Sequence, residues 1–187
     1  MRIKYNAPTV LTYAFICALV VAFSTTLLPG LAEAWFMVPG RGHFSPSLPR
    51  DWVSLLSHVA GHSSWNHLVT NLSLILLIGP MLEESYGSRA LLAMIITTAL
   101  VTGILNVLFF TTGLMGASGV VFMMILLASF TNFSRGEIPL TFILVLVLYL
   151  GDQLMKSFST DNISYFAHIV GGFCGSLFGF FIPPKRA

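Results

Sequence analysis

Long apolar runs, separated by short polar or turn-forming stretches, constrain this chain more than any other feature of its sequence. Of its 187 residues, 56% are hydrophobic and 9% are charged, whereas an ordinary soluble domain carries about 25% charged residues. So few charges cannot cover the surface of a soluble globule, and the abundance of Leu, Ile, Val and Phe excludes a disordered chain. The sequence therefore predicts an integral membrane protein that contacts the lipid bilayer.

The apolar runs are continuous rather than alternating, which favours membrane-crossing helices over the strands of a closed barrel. A helix needs about 20 residues to cross a bilayer. We predict an all-α membrane protein with a single domain over residues 1–187 and six spans, at about 10–28, 66–84, 90–111, 118–132, 139–156 and 164–182.

The chain between the first two spans has a different character. Proline and glycine break regular structure there, and tryptophan and phenylalanine suit the headgroup region of a membrane. The residues concerned are Pro29, Gly30, Pro39, Gly40, Gly42, Pro46 and Pro49, together with Trp35, Phe36, Trp52 and Trp65. We predict a long, irregular first loop that lies partly in the membrane interface.

Lysine and arginine indicate the orientation. A cytoplasmic amino terminus places six of these residues on the inner side and three on the outer side, and the positive-inside rule favours that arrangement. Both termini are then cytoplasmic, and the small chain without appended domains favours a bacterial plasma membrane. An alternative is a cleaved signal peptide ending at Ala32-Glu33-Ala34, but an apolar run of about 19 residues exceeds the usual core of such a peptide.

Neither the charges nor the cysteines point to other partners. The net charge of +2 is spread along the chain without a basic cluster, so we expect no nucleic-acid binding. Cys17 and Cys174 lie inside apolar runs, where cysteine behaves as a small buried hydrophobe.

The fourth span is short, and it begins at a serine. About 15 residues from Ser118 onward cover only about 22 Å of a hydrocarbon core that is roughly 30 Å thick. Ser118 is then about 8 Å below the outer surface, and residues 111–117 dip into the membrane beside a water-containing cavity. Backbone N–H groups at a helix start favour negative charge, so Ser118 is a candidate nucleophile, although it can also simply cap the helix.

A histidine in the sixth span is the candidate partner of this serine. On a helical wheel Gly172, Gly175 and Gly179 fall within about 40° of His168. Glycines in a membrane helix allow close approach of a neighbouring helix, so this stripe carries the imidazole inward at a depth similar to that of Ser118. A neutral imidazole can accept a hydroxyl proton and later donate it to a leaving amine.

Other polar residues can support such a pair. His67 and Asn71 share one helix face and are candidate donors to an oxyanion, unless they bond to helix carbonyls. Phe122 lies four residues after Ser118 and can stack on the imidazole, unless it is an ordinary core or lipid-facing residue. We expect His62, in the loop before the second span, to be structural.

Two further chemistries are disfavoured. No carboxylate follows a spacing that would fix it against His168, which favours a dyad over a triad; the acidic candidates are Asp152, Asp161, Glu33 and Asp51. A metal site formed by His62, His67 and His168 lacks the H-E-x-x-H pattern and a carboxylate ligand. We therefore expect neither a metal nor another cofactor.

Three motifs together resemble the rhomboid intramembrane serine proteases, over about residues 52–182. These motifs are His62-x4-His67-x3-Asn71, Gly116-Ala117-Ser118-Gly119 and Ala167-His168-x2-Gly171-x3-Gly175. The resemblance implies a six-helix rhomboid core in which Ser118 is the nucleophile and His168 the general base. It also implies an oxyanion hole formed by His67, Asn71 and the backbone N–H of Ser118.

The resemblance extends to Gly79-x3-Glu83 followed by Gly87, and implies a structural role for Glu83. Two positions depart from the usual pattern: Arg50-Asp51-Trp52 stands near the place of a Trp-Arg pair, and Met123 occupies a position where a small residue is usual. The implied substrates are transmembrane protein segments. A further hypothesis is that they reach the site beside the fifth span, with the loop around Ser157–Ser164 as a lid. The alternatives are a non-catalytic rhomboid-like protein that binds transmembrane segments, and a transporter or channel.

Overall fold

The computed structural model describes residues 2–131, 138–150 and 163–185, and these residues are predominantly helical. The elements are α1 (Pro8–Thr26), α2 (Leu31–Trp35), α3 (Pro49–Ser57), a 3₁₀ turn (His58–Ala60), α4 (Trp65–Tyr86), α5 (Ser88–Phe109), α6 (Ser118–Ala128), α7 (Leu140–Val145) with a π-helical turn (Leu146–Leu150), and α8 (Ile163–Phe181). Within those ranges the only β-type pairing is an isolated antiparallel bridge between Val38 and Leu114.

The helices confirm the all-helical membrane architecture for the described residues. By length and hydropathy α1, α4 and α5 are able to cross a membrane, and α6 and residues Tyr165–Phe181 of α8 are shorter apolar helices. Observed helix ends differ by a few residues from the predicted spans, most at α6, which ends at Ala128. The count of six spans remains a prediction, because residue 132 and residues 151–156 of the predicted fourth and fifth spans lie outside the described residues.

The first loop contains helices where the sequence predicts irregular chain. Pro49 is the first residue of α3 and Asp51 lies in its first turn. Proline at this position interrupts no hydrogen bond, since the first N–H groups of a helix have no intrahelical acceptor, and an acidic residue there stabilises the helix dipole. The expectation of irregular structure throughout this loop is therefore wrong at α2 and α3.

Glu83 joins α4 to the start of α1. Its two carboxylate oxygens accept hydrogen bonds from the backbone N–H groups of Thr9, at 2.9 Å, and of Val10, at 3.0 Å. The backbone N–H of Lys185 donates to the carbonyl oxygen of Ser85, at 2.7 Å. Both ends of the described chain therefore lie at the α4–α5 turn, at the end of the bundle opposite to Ser118.

α6 is the most enclosed helix of the bundle, and its largest contact is with α8. A Cβ atom on Gly171 would overlap the carbonyl oxygen of Gly119, and one on Gly175 would overlap the carbonyl oxygen of Met123. Gly175, which the sequence places on the glycine face of α8, thus packs directly on the backbone of α6, together with Gly171, which the sequence did not place on that face. Met123 is fully buried, and its side chain does not prevent this close approach.

Aromatic rings pack together at the end of the α6–α8 contact that is away from Ser118. A Cβ atom on Gly179 would overlap the ring of Phe130. The Phe130 ring contacts those of Phe142 and Phe180, with centroid separations of 4.7 and 4.9 Å. Phe142 therefore attaches α7 to α6 and α8 at the end away from Ser118.

Candidate active site

The start of α6 lies against the start of α8, and this contact brings together the surroundings of Ser118 and His168. Ser118 is the first residue of α6, and the N-cap position is taken by Ala117, which has no side-chain cap. A Cβ atom on Gly119 would lie 3.3 Å from the carbonyl oxygen of Ala167. The residue after Ser118 therefore contacts the residue before His168.

The backbone at this point is suited to an anion. The first N–H groups of a helix have no intrahelical acceptor and carry partial positive charge. Ser118 is half-buried at that position, so its side chain is carried by the helix end at which the N–H groups have no intrahelical acceptor.

The imidazole of His168 is held by aromatic rings. It stacks on Phe122 with a centroid separation of 4.3 Å and an interplanar angle of 6°. Tyr165 meets it edge-on, with centroids 6.4 Å apart. Stacking from one side and an edge contact from another restrict rotation of the ring.

His67 lies against the loop that precedes Ser118. Gly116 has a φ of +136°, and a Cβ atom there would lie 2.8 and 2.9 Å from Cε1 and Nε2 of His67. Glycine is therefore required at position 116 both by the backbone conformation and by the approach of the ring. The other ring nitrogen, Nδ1, is hydrogen-bonded to the Ser63 hydroxyl at 3.2 Å.

Asn71 follows His67 by one helical turn, and its side chain is 5% exposed. Its amide nitrogen Nδ2 has no hydrogen-bond partner among the residues that the structure describes. A buried donor without an acceptor costs about 1–3 kcal/mol, and in a functional site this is the arrangement expected of a group that binds a ligand.

His62 packs behind His67, with ring centroids 5.0 Å apart in an edge-to-face arrangement. Its Nδ1 is 3.3 Å from the carbonyl oxygen of Ala60. Burial, and secondarily the neighbouring His67, lower the pKa of His62 to about 4. His62 is therefore neutral at neutral pH and contributes no charge to the site.

The first loop holds the segment that leads to Ser118. Val38 and Leu114 exchange two backbone hydrogen bonds, at 2.9 and 3.0 Å, and the backbone N–H of Arg41 donates to the carbonyl of Phe110. A Cβ atom on Gly40 would overlap the carbonyl oxygen of Thr111. These contacts hold the start and the middle of the predicted inward-dipping segment, residues 111–117.

Sequence reasoning missed two polar residues that support this segment. The backbone carbonyl of His58 accepts a hydrogen bond from the backbone N–H of Gly116 at 3.0 Å, and the ring nitrogens of His58 lie 3.2 Å from the carbonyl oxygen of Ser54 and 3.3 Å from the hydroxyl of Thr102. Asn106, in an otherwise apolar stretch of α5, donates to the carbonyl of the second residue of the segment, at 3.2 Å. The position of Asn106, as a polar residue within an apolar stretch, could have indicated this role. His58 belongs to no motif, so the sequence gave no indication of its role.

Of the acidic candidates for a third catalytic residue, Asp51 makes its contacts away from His168. Asp51 is engaged within the first loop, where its carboxylate accepts from the backbone N–H of Ser45 at 2.7 Å and lies 3.7 Å from Nε of Arg50. Asp152 and Asp161 lie outside the described residues. Within the described ranges no three His, Cys, Asp or Glu side chains are arranged to hold a metal ion.

Comparison with known proteins assigns most of the chain to one family. Residues 49–185 match the model of the rhomboid domain. This chain belongs to the rhomboid family. No curated protein shows significant similarity to it. Rhomboid proteins include serine proteases as well as inactive members. Membership in the family therefore establishes a rhomboid domain in a membrane, but it does not establish catalytic activity.

Proposed function

We propose that this rhomboid protein is an intramembrane serine endopeptidase that hydrolyses peptide bonds in or near transmembrane segments. The observation that carries the proposal is the contact between the first turn of α6 and the second turn of α8, where Gly119 meets Ala167. Ser118 and His168 are the sequence neighbours of those two residues. The side chains that form a catalytic dyad are thus presented by two helices in backbone contact.

In the proposed reaction the Ser118 hydroxyl oxygen attacks the substrate carbonyl carbon, and its proton passes to the neutral imidazole of His168. The tetrahedral intermediate collapses to an acyl-enzyme when His168 donates this proton to the departing amine. Water then attacks the ester with His168 as base, and Ser118 recovers its proton as the acid product leaves. These steps use only side chains of this chain and water.

The negative oxygen of the tetrahedral intermediate needs fixed donors. The backbone N–H of Ser118 is one, since it lies at the start of α6. The side chains of His67 and Asn71 are the other two in this proposal, supported by the position of the His67 ring against Gly116 and by the unpartnered Nδ2 of Asn71. Gly116, Phe122, His62 and Glu83 support the site without touching the reacting atoms.

The depth of the site limits the substrate. A hydrogen-bonded helix hides its carbonyl groups from a nucleophile, so a cleavable transmembrane segment must unwind near the scissile bond. We further propose that the site opens to the outer face and that both termini are cytoplasmic. The proposed lateral access beside the fifth span depends on the loop around Ser157–Ser164, and residues 157–162 of that loop lie outside the described residues.

The deciding experiment is covalent labelling of the detergent-solubilised full chain with a fluorescent fluorophosphonate. Wild type should be labelled, and Ser118→Ala and His168→Ala should not. Ser129→Ala, at the other end of α6, and His43→Ala, in the first loop, are matched controls that should keep the label. Labelling that persists in Ser118→Ala would reject the assigned nucleophile.

The same experiment separates the proposal from the second candidate, a non-catalytic rhomboid protein that binds transmembrane segments. A folded wild-type chain that binds such a segment, takes no label and releases no cleaved product would establish the non-catalytic function. The presence of both Ser118 and His168 at the α6–α8 contact favours the protease.

A further inference from the structure

The 3₁₀ turn His58–Ala60 presents three consecutive backbone carbonyl groups to three different partners. The carbonyl of His58 accepts from the N–H of Gly116 at 3.0 Å. The carbonyl of Ala60 lies 3.3 Å from Nδ1 of His62. One turn of three residues therefore contacts both the loop before Ser118 and the histidine pair that includes His67.

The carbonyl between them, that of Val59, is directed to α1. The Tyr13 hydroxyl donates to it at 2.7 Å, and the thiol of Cys17, one helical turn further along, lies 3.9 Å from the same oxygen. Tyr13, Cys17 and Val59 are all buried, so water does not replace these donors.

We infer that Tyr13 is a positioning residue for the proposed hydrolysis, acting from α1 through the carbonyl of Val59 on the placement of Gly116 and His62. This inference rests on the proposed function. A 3₁₀ turn of three residues has few internal hydrogen bonds and poor hydrogen-bond geometry, so its orientation depends on outside partners. The Tyr13 hydroxyl is the strong donor among them on the α1 side.

Loss of this hydroxyl leaves the carbonyl of Val59 buried with only the weak thiol donor, which costs free energy. The turn can recover part of that loss by rotating, and rotation moves the adjacent carbonyls of His58 and Ala60. Because the N–H of Gly116 is hydrogen-bonded to the carbonyl of His58, Gly116 would move with that carbonyl. Ser118, two residues further on, would be displaced with it. Displacement of a catalytic group by about 1 Å can reduce the rate of reaction about 100-fold.

The chain offers two matched controls for a Tyr13→Phe substitution. Tyr5 is exposed, and its hydroxyl is hydrogen-bonded to the hydroxyl of Thr12. Tyr86 is buried, and its hydroxyl has no partner among the residues that the structure describes. Tyr5→Phe and Tyr86→Phe therefore make the same chemical change at an exposed and at a buried position, with no connection to the 3₁₀ turn.

The test measures turnover of a fluorogenic transmembrane substrate by the purified full chain, together with the rate of fluorophosphonate labelling of Ser118. Tyr13→Phe should lower kcat about tenfold with KM unchanged, and should slow labelling by a similar factor. A tenfold loss is smaller than the loss of about 100-fold expected when a catalytic group is displaced by about 1 Å. Both control variants should retain the wild-type kcat. Hydrogen exchange of residues 111–117 should quicken in Tyr13→Phe alone, and this readout does not depend on activity.

The outcomes distinguish this inference from the proposed function. If Tyr13→Phe has a lower unfolding temperature but wild-type kcat, labelling rate and hydrogen exchange, Tyr13 is a structural residue and the inference is overturned. If the folded wild type takes no label at Ser118, the proposed function fails. Faster exchange in residues 111–117 of Tyr13→Phe would then still show that α1 positions this loop.

Discussion

The rings of Phe122 and His168 lie face to face across the contact between α6 and α8, with centroids 4.3 Å apart and planes inclined by 6°. Phe122 is one helical turn after Ser118, so the residue that stacks on the imidazole belongs to the same helix as the proposed nucleophile. Rotation of the imidazole about its side-chain bonds would break this stack. The orientation of the proposed base is thereby linked to the helix that carries its partner.

Replacing Phe122 with Leu should reduce kcat about two- to twelvefold, because an aromatic stack contributes about 0.5–1.5 kcal/mol to ring orientation. Phe122→Tyr keeps the ring and should stay close to the wild-type rate. Phe173→Leu removes an exposed ring from α8 and serves as the control. A wild-type kcat in Phe122→Leu, measured with the fluorogenic substrate, would show that the stack does not orient the base.

Because α8 approaches α6 closely, a single methyl group added at Gly171 should strongly reduce both turnover and stability. In Gly171→Ala the added Cβ would overlap the carbonyl oxygen of Gly119, so the helices must separate beside Ser118 and His168. We expect turnover to fall about 100-fold or more and stability to fall by about 1–3 kcal/mol.

Gly179→Ala is the matched control, since its Cβ would overlap the ring of Phe130 two turns further along the same contact. This variant should lose a similar amount of stability but keep most of its turnover. Equal losses of turnover in both variants, compared at equal folded fraction, would mean that Gly171 acts through stability alone.

The sequence predicted those parts of the site that depend on periodicity and on the start of a helix. Ser118 begins α6, Gly175 and Gly179 face α6, and Glu83 makes structural contacts at the end opposite to Ser118. The start of α6 and the glycine contacts follow from local rules: an apolar run bounded by a polar residue begins a helix, and small residues on one face mark a helix contact. The structural role of Glu83 was implied by the resemblance to the rhomboid family.

The sequence could not predict hydrogen bonds between segments that meet only when the chain folds. The contact of Tyr13 with the carbonyl of Val59 joins residues 46 positions apart, and that of His58 with Thr102 joins residues 44 positions apart. Periodicity shows which face of a helix is buried, but it does not name the acceptor that a buried polar group will find. For the same reason the role of His58 in holding Gly116 was not foreseen.

Glu83 should be important for stability rather than for the chemical step. Its carboxylate accepts from two N–H groups at the start of α1, and α1 has no side-chain cap of its own. Glu83→Ala leaves these donors without acceptors and removes a negative charge from a helix N-terminus, which together should cost about 2 kcal/mol. Thermal unfolding should show the loss, whereas Glu84→Ala, at the exposed neighbouring position, should unfold as wild type does.

The buried histidines of the first loop predict that the protein is less stable in acid. Burial lowers the pKa of His58 from 6.5 to about 4, although the carbonyls of Ser54 and Leu55 partly oppose this change, and burial likewise lowers the pKa of His62 to about 4. Between pH 6.5 and about 4 the unfolded chain binds protons at these residues that the folded chain does not bind. The free energy of unfolding should therefore fall as the pH falls through this window, and His58 alone can account for a loss of about 3 kcal/mol.

Unfolding temperatures measured in detergent from pH 7.5 to pH 4.5 would test this prediction. His58→Gln should have a lower unfolding temperature than wild type at pH 7.5, because the contacts to Ser54 and Thr102 are disturbed, but it should lose less on acidification. His43→Gln replaces an exposed histidine and should follow the wild-type curve. A wild type whose unfolding temperature stays constant over this range would contradict the prediction, because it would mean that folding leaves proton binding at His58 and His62 unchanged.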